Sequence, residues 1–269
     1  MKVNAIIFDW AGTTVDYGCF APTGVFREVY RQKGVEITED EARSFMGMYK
    51  RDHIKALSAL PRISEEWNRV HGRNCNEEDI EEMFGVFVPL QISVIDRYSK
   101  IVPELPDALL LIKSKGLKIG STTGYTSEMM KILSASAAKQ GYVPDAMVCA
   151  SDVKKGRPAP WMAFRAAELL GVYPMETIIK IGDTVADIQE GVNAGMWSVG
   201  VIMSGNEMAL TPEEIASLEP SELEKKRQAV RNTFINAGAD YVIDTLNEIG
   251  ELIEKINFEL YCEEKPGKG

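Results

Sequence analysis

Four short β-rich runs in this chain each stop on a polar turn, and that arrangement constrains the fold more than any other feature. Val3 to Ile7 runs into Phe8-Asp9-Trp10-Ala11-Gly12-Thr13-Thr14, and Lys118 to Thr122 into Thr123-Gly124-Tyr125-Thr126. Ala146 to Cys149 precedes Lys154-Lys155-Gly156-Arg157-Pro158, and Ile178 to Ile181 precedes Gly182-Asp183-Thr184-Val185-Ala186-Asp187. A strand that ends this way places its last residues at the C-terminal edge of an open α/β sheet, where ligands bind. Helical patterns alternate with these runs, as parallel strands joined by crossover helices require. Pro103 to Lys115, Thr126 to Gln140 and Pro158 to Leu170 read as such helices, ended by Gly116, Gly141 and Gly171.

From Gly18 to about Lys100 the alternation stops. Thr38-Glu39-Asp40-Glu41 reads as a capping box, Pro61 closes one helix, and Asn76 with three following acids opens another that Pro89 would kink or divide. The expected architecture is a doubly wound, mostly parallel α/β sheet built from residues 1–17 and 101–269, with an α-helical cap inserted over 18–100. Such an insert lies over the C-terminal sheet edge. Glu213 to Ala237 reads as one polar, solvated helix, and the tail from Cys262 as frayed.

The strand ends carry matching chemistry. Asp183 and Asp187, four residues apart across a strand-to-helix junction, can converge on one hard cation, since Mg2+ takes oxygen ligands and one or two protein carboxylates. Asp187 could also cap the following helix, and both can hold at once. Thr123 offers a hydroxyl and Arg157 a fixed cation, the groups that a dianionic phosphoryl moiety needs around it.

Asp-x-x-Gly-Thr-Thr, a strand-end Thr, a basic residue before Pro and Gly-Asp-Thr-x-x-Asp, in that order, resemble the four motifs of the haloacid dehalogenase superfamily. That resemblance implies that Asp9 is a nucleophile forming an aspartyl-phosphate. Most phosphatases of the group carry a second Asp two positions later as general acid/base, whereas this chain has Ala11. A poor leaving group would then depart unprotonated, about 10²- to 10⁴-fold more slowly.

Help has to come from elsewhere, and Met46-Gly47-Met48-Tyr49-Lys50-Arg51-Asp52-His53 can supply it. Lys50, His53, Ile54 and Leu57 fall on one helix face, so a lysine shares the apolar stripe that Arg51, Lys55 and Ser58 avoid. Lys50 also starts its helix, where the dipole disfavours a cation and lowers the amine pKa. A lysine so placed can be a neutral nucleophile.

Together with Phe8 to Cys19, Ser121 to Thr126 and Gly195-Met196-Trp197, this stretch resembles the phosphonatase branch of the superfamily. The branch implies hydrolysis of the carbon–phosphorus bond of phosphonoacetaldehyde, with Lys50 forming a Schiff base and His53 assisting. It implies Mg2+ on Asp9, the Ala11 backbone carbonyl and Asp183, with Asp187 behind them. Substrate contacts from Thr123, Arg157, Met46, Gly47 and Tyr125 and a homodimer are implied as well. An iminium two bonds from phosphorus would take up the electrons of the breaking bond, so no acid at position 11 is needed. A phosphate-ester phosphatase or phosphomutase of the same superfamily is the alternative, and Ala11 weighs against it.

The formal net charge of −10 argues against nucleic acid or an anionic membrane as partner. Attraction for a small anionic phosphonate must then be local. No stretch reaches about twenty apolar residues, the N-terminal apolar run is too brief for a signal peptide, and the four cysteines have no metal-type spacing. A cytoplasmic enzyme is expected.

Overall fold

A computed structural model describes residues 1–262. Its six strands, β1 (Ala5–Phe8), β2 (Lys118–Thr123), β3 (Ala146–Cys149), β4 (Ile178–Gly182), β5 (Trp197–Val201) and β6 (Tyr241–Ile243), form one sheet in the order β3-β2-β1-β4-β5-β6. All neighbouring strands are parallel. β1 is flanked by β2 on one side and β4 on the other, so the strand order reverses there and a crevice opens at the C-terminal edge. Alternation along β1 serves both faces: Ile6 and Phe8 enter one apolar cluster, Ala5 and Ile7 the other.

Between β1 and β2 lie α1 (Phe20–Gln32), α2 (Glu39–Arg43), α3 (Lys50–Ser58), α4 (Pro61–His71) and α5 (Glu77–Ile95). Capping boxes at Thr38 and Asn76 start α2 and α5, and Pro61 is the first residue of α4. The chain enters the insert through left-handed Asp16, Gly18 and Cys19, and the Asp16 carboxylate accepts from the Phe20 and Ala21 amides at the start of α1. Phe26, Ile54, Leu57, Trp67, Met83 and Phe87 bury the insert's interior. α5 runs undivided through Pro89. Gly85, whose carbonyl loses its helical donor, lies with Pro89 on the exposed face, where water can serve it. Ser58 departs from the expected solvent face: it is buried and its hydroxyl meets the Tyr30 hydroxyl at 2.7 Å.

The remaining helices are α6 (Leu105–Ser114), α7 (Ser127–Ala138), α8 (Trp161–Leu170), α9 (Val185–Ala194), α10 (Pro212–Ser217), α11 (Pro220–Asn236) and α12 (Ile249–Tyr261). α6, α7 and α8 begin one to three residues later than the sequence suggests; Thr126, for one, is the N-cap of α7 rather than its first turn. The polar stretch expected as one helix over 213–237 is two. Leu218 and Glu219 are extended, as residues ahead of Pro220 are pushed to be. All four cysteines are free, with Cys149 buried in β3. Apart from Cys262, the tail expected to fray lies outside the described residues. No helix among the described residues is long and apolar enough to cross a membrane.

Candidate active site

The C-terminal ends of β1, β2 and β4 bring Asp9, Thr123 and Asp183 to one crevice, and the segment before α3 reaches it from the insert. Asp9, Ala11, Thr123, Tyr125 and Arg157 line a single small cavity with Met46, Gly47 and Lys50. Its free space is about 10 Å³, room for roughly one water molecule. The insert is thus seated closely on the sheet edge. A Cβ on Gly124 would collide with the Met48 carbonyl oxygen, so glycine is what lets the two backbones meet.

Asp9 is buried, and its Oδ1 accepts from Arg157 Nη1 at 2.6 Å. Burial and the neighbouring Asp187 carboxylate raise its pKa to about 6, with Arg157 and Lys180 pulling the other way. Asp183 Oδ1 accepts from the Thr13 hydroxyl at 2.7 Å, and its Oδ2 from the Asn206 amide at 2.8 Å. Burial, Asp9 and Asp187 push Asp183 well above the usual carboxylate range. Gly12, at φ +91°, leaves room for that carboxylate where a side chain would strike it.

Asp187 is held from both sides: Lys180 Nζ donates to Oδ1 at 2.7 Å and the Thr184 hydroxyl to Oδ2 at 2.6 Å. Arg157 and Lys180 lower its pKa against its burial. It is not the cap of α9; Thr184 is, accepting from the Asp187 amide.

Ligand oxygens of Asp9, Asp183 and Asp187 lie within 4.8 Å of one another. With Glu190, four buried carboxylates face three buried cations here, Arg157, Lys180 and, from the insert, Lys50. An oxygen-only donor set with that charge deficit fits a hard divalent ion.

On the insert side, Lys50 is 3% exposed at the first residue of α3. Its Nζ lies 3.7 Å from Met46 Sδ and 5.1 Å from the centre of the Tyr125 ring. Burial lowers its pKa to about 8, against the attraction of Cys19 and Asp9. Tyr125 is buried, its hydroxyl accepting from Gln91 at 3.3 Å and its amide donating to the Thr123 hydroxyl at 3.1 Å. His53 is placed differently. It does not line the cavity; its ring packs on Phe26 at 3.9 Å between centroids and meets the Ala42 backbone. Burial and the nearby Lys50 hold it well below the usual histidine range, hence neutral.

A family model described as haloacid dehalogenase-like hydrolase matches residues 3–195. The chain belongs to this family. The hydrolase is 50% identical over 256 residues to a phosphonoacetaldehyde hydrolase of Bacillus cereus, covering 95% of this chain and 97% of that one. A Bacillus anthracis protein of the same name matches with the same figures. Among solved structures, a phosphonoacetaldehyde hydrolase-like protein from Oleispira antarctica superposes with a TM-score of 0.97 at 39% identity, over 99% of this chain and 96% of that one. A β-phosphoglucomutase from Clostridium difficile shares the fold, with a TM-score of 0.67 at 24% identity over 97% of this chain and 99% of that one.

Several groups around the hydrolase site escape the sequence patterns. Lys180 and Glu190 sit behind Arg157, and Ser204 donates to the Gly12 carbonyl at 2.7 Å. Asn206, besides holding Asp183, accepts from Arg43 of α2 at 3.2 Å.

Proposed function

We propose that this hydrolase cleaves phosphonoacetaldehyde to acetaldehyde and phosphate, using Lys50 as an imine-forming amine and Asp9 as the phosphorus nucleophile. The observation that carries the proposal is a buried lysine of lowered pKa on the insert, sharing one cavity with a strand-end aspartate that lacks an acid two residues later. The half-identical relatives named for that reaction support it.

The neutral Lys50 amine adds to the aldehyde and expels water, leaving a protonated imine beside the carbon that bears phosphorus. Asp9 attacks phosphorus; the carbon–phosphorus bonding pair moves into the iminium and gives a neutral enamine. Protonation at carbon regenerates an iminium, which one water cleaves to acetaldehyde and free Lys50. A second water splits the aspartyl-phosphate. Since imine formation released one water, a single water is consumed overall.

Met46 sulfur and the Tyr125 ring surround Lys50 with weak partners that do not hold it charged. Arg157 orients one Asp9 oxygen, and Thr123, whose oxygen already accepts from the Tyr125 amide, has its own proton to donate to a phosphoryl oxygen. Met46 and Gly47 form the insert's wall against the substrate. His53 packs behind Lys50 against Phe26 and the Ala42 backbone, and a proton-shuttling role would need a path to the cavity, which His53 does not line. A Mg2+ ion held by Asp9, Asp183 and the Ala11 carbonyl, with Asp187 behind, would offset charge on the phosphoryl group.

The cavity is too small for the substrate as it stands, so the insert, spanning about residues 18–100, lifts for entry and reseats to exclude water. We place this small-molecule enzyme in the cytoplasm, as a homodimer. A release assay comparing phosphonoacetaldehyde with a panel of phosphate monoesters tests the assignment: the phosphonate is expected to be preferred, and a preferred ester would make the protein a phosphatase.

A further inference from the structure

Arg157 has five N–H donors, and all five are directed to protein acceptors. Nε donates to Glu190 Oε2 at 2.9 Å, and Nη2 to the Thr122 carbonyl at 2.9 Å and hydroxyl at 2.7 Å. Nη1 donates forward, to Asp9 Oδ1 at 2.6 Å and to the Gly47 carbonyl of the insert at 3.3 Å, and stands 3.0 Å from Asp187 Oδ1. One side of the guanidinium is therefore anchored in the core, while the other joins the nucleophile to the seated insert.

The anchor is itself charged and dry. Glu190 is fully buried on α9, and its Oε2 also accepts from the Thr122 hydroxyl at 2.9 Å. Lys180 Nζ stands 3.6 Å from that same oxygen and donates to Asp187 at 2.7 Å. Glu190 Oε1 has no hydrogen-bond partner. A carboxylate placed for stability alone would be satisfied at both oxygens, since buried ion clusters stabilise no better than apolar packing of the same volume. Neither Glu190 nor Lys180 lines the cavity.

The geometry points to Glu190 and Lys180 as positioning residues for phosphorus attack: with Thr122 they hold Arg157 and Asp187 so that Arg157 presents Asp9 once Gly47 has seated. Their role rests on the phosphonate-cleaving function proposed above. It predicts a split between the two halves of the reaction, because imine formation at Lys50 does not need Asp9 whereas bond cleavage does.

Borohydride reduction during turnover reads that split. A reduced imine that has lost phosphorus is N-ethyl-lysine, and one that has not is N-(2-phosphonoethyl)-lysine. Glu190→Gln is expected to lower kcat about 10- to 100-fold, the usual effect of losing an outer-shell partner, with KM little changed. The adduct on Lys50 should shift from ethyl to phosphonoethyl. Thr122→Val, which removes one hydroxyl without burying an unpaired charge, should shift it the same way and covers the case in which Glu190→Gln misfolds. Wild-type kcat in both variants would overturn the proposal, as would both adducts falling together, the mark of a merely structural role. Neither adduct in the wild-type hydrolase would remove the phosphonate-cleaving function and this proposal with it.

Discussion

Lys50 concentrates a conflict between stability and chemistry in one side chain. Burial holds its pKa near 8, so below that pH the folded protein carries the cost of a charged amine in an apolar wall. Between about pH 8 and its unfolded pKa such a lysine is neutral when folded and charged when unfolded, so its contribution to stability improves as pH rises through that window. Lys50→Met should therefore abolish turnover while raising stability at neutral pH by roughly 1–3 kcal/mol, the order that a shift of this direction implies. Thermal unfolding at pH 7 checks this, and a lower Tm in the variant would contradict it. The neutral amine is also the reactive form. Over roughly the two units below about pH 8, kcat/KM is expected to climb roughly tenfold per unit as Lys50 loses its proton, and then level off. A flat profile over that span would remove Lys50 as the titrating group. Asp9 and Lys50 were legible from sequence because each is the wrong residue type for its pattern: a carboxylate closing an apolar run, and a cation on an apolar stripe. Lys180 offered the same signal, a lone cation inside a strand buried on both faces, and Glu190 shares a face of α9 with Asp187 three residues earlier. Both were hidden because nothing periodic marks a polar group that serves another polar group. Asn206 and Ser204 sit in an irregular loop after β5, where sequence carries no spacing to read.

Helices and strands show where local rules suffice and where they stop. The strand ends were readable because β-rich runs stop at turn residues, and the capping boxes because a hydroxyl or amide three residues ahead of an acid satisfies two helix-start amides at once. α10 and α11 divide at Pro220 although the charge pattern runs through, because backbone sterics ahead of proline outweigh propensity. α5 survives its internal proline because the freed carbonyl faces solvent, an outcome set by tertiary placement. How tightly the insert meets the core is also a tertiary matter, and it turns on the β2–α7 turn. A methyl group at Gly124 would meet the carbonyls of Met48 and Gly47. Gly124→Ala should keep the insert from seating and lower kcat/KM by at least about tenfold, while circular dichroism and Tm stay close to wild type. Unchanged kcat/KM would show that the seated arrangement is not the working one.

Taken whole, the molecule is acidic, the proposed phosphonate substrate would add an anion to it, and its site adds to the difficulty, with more buried carboxylates than buried cations. A divalent ion resolves both. Because such an ion binds the folded site and not the unfolded chain, Mg2+ should raise stability by about 2.7 kcal/mol at a hundredfold excess over its Kd. Asp183→Asn should abolish that response, and an equal rise in Tm for this variant would place the ion elsewhere. In the proposed reaction the parallel sheet would supply the nucleophile and the phosphoryl site, and the helical insert the amine. Neither alone can break a carbon–phosphorus bond without a leaving-group acid. The most direct measurement is therefore a peptide map of the wild-type hydrolase reduced with borohydride while it turns over phosphonoacetaldehyde. An N-ethyl group on Lys50 is the predicted result; full loss of substrate with Lys50 unmodified would contradict the account.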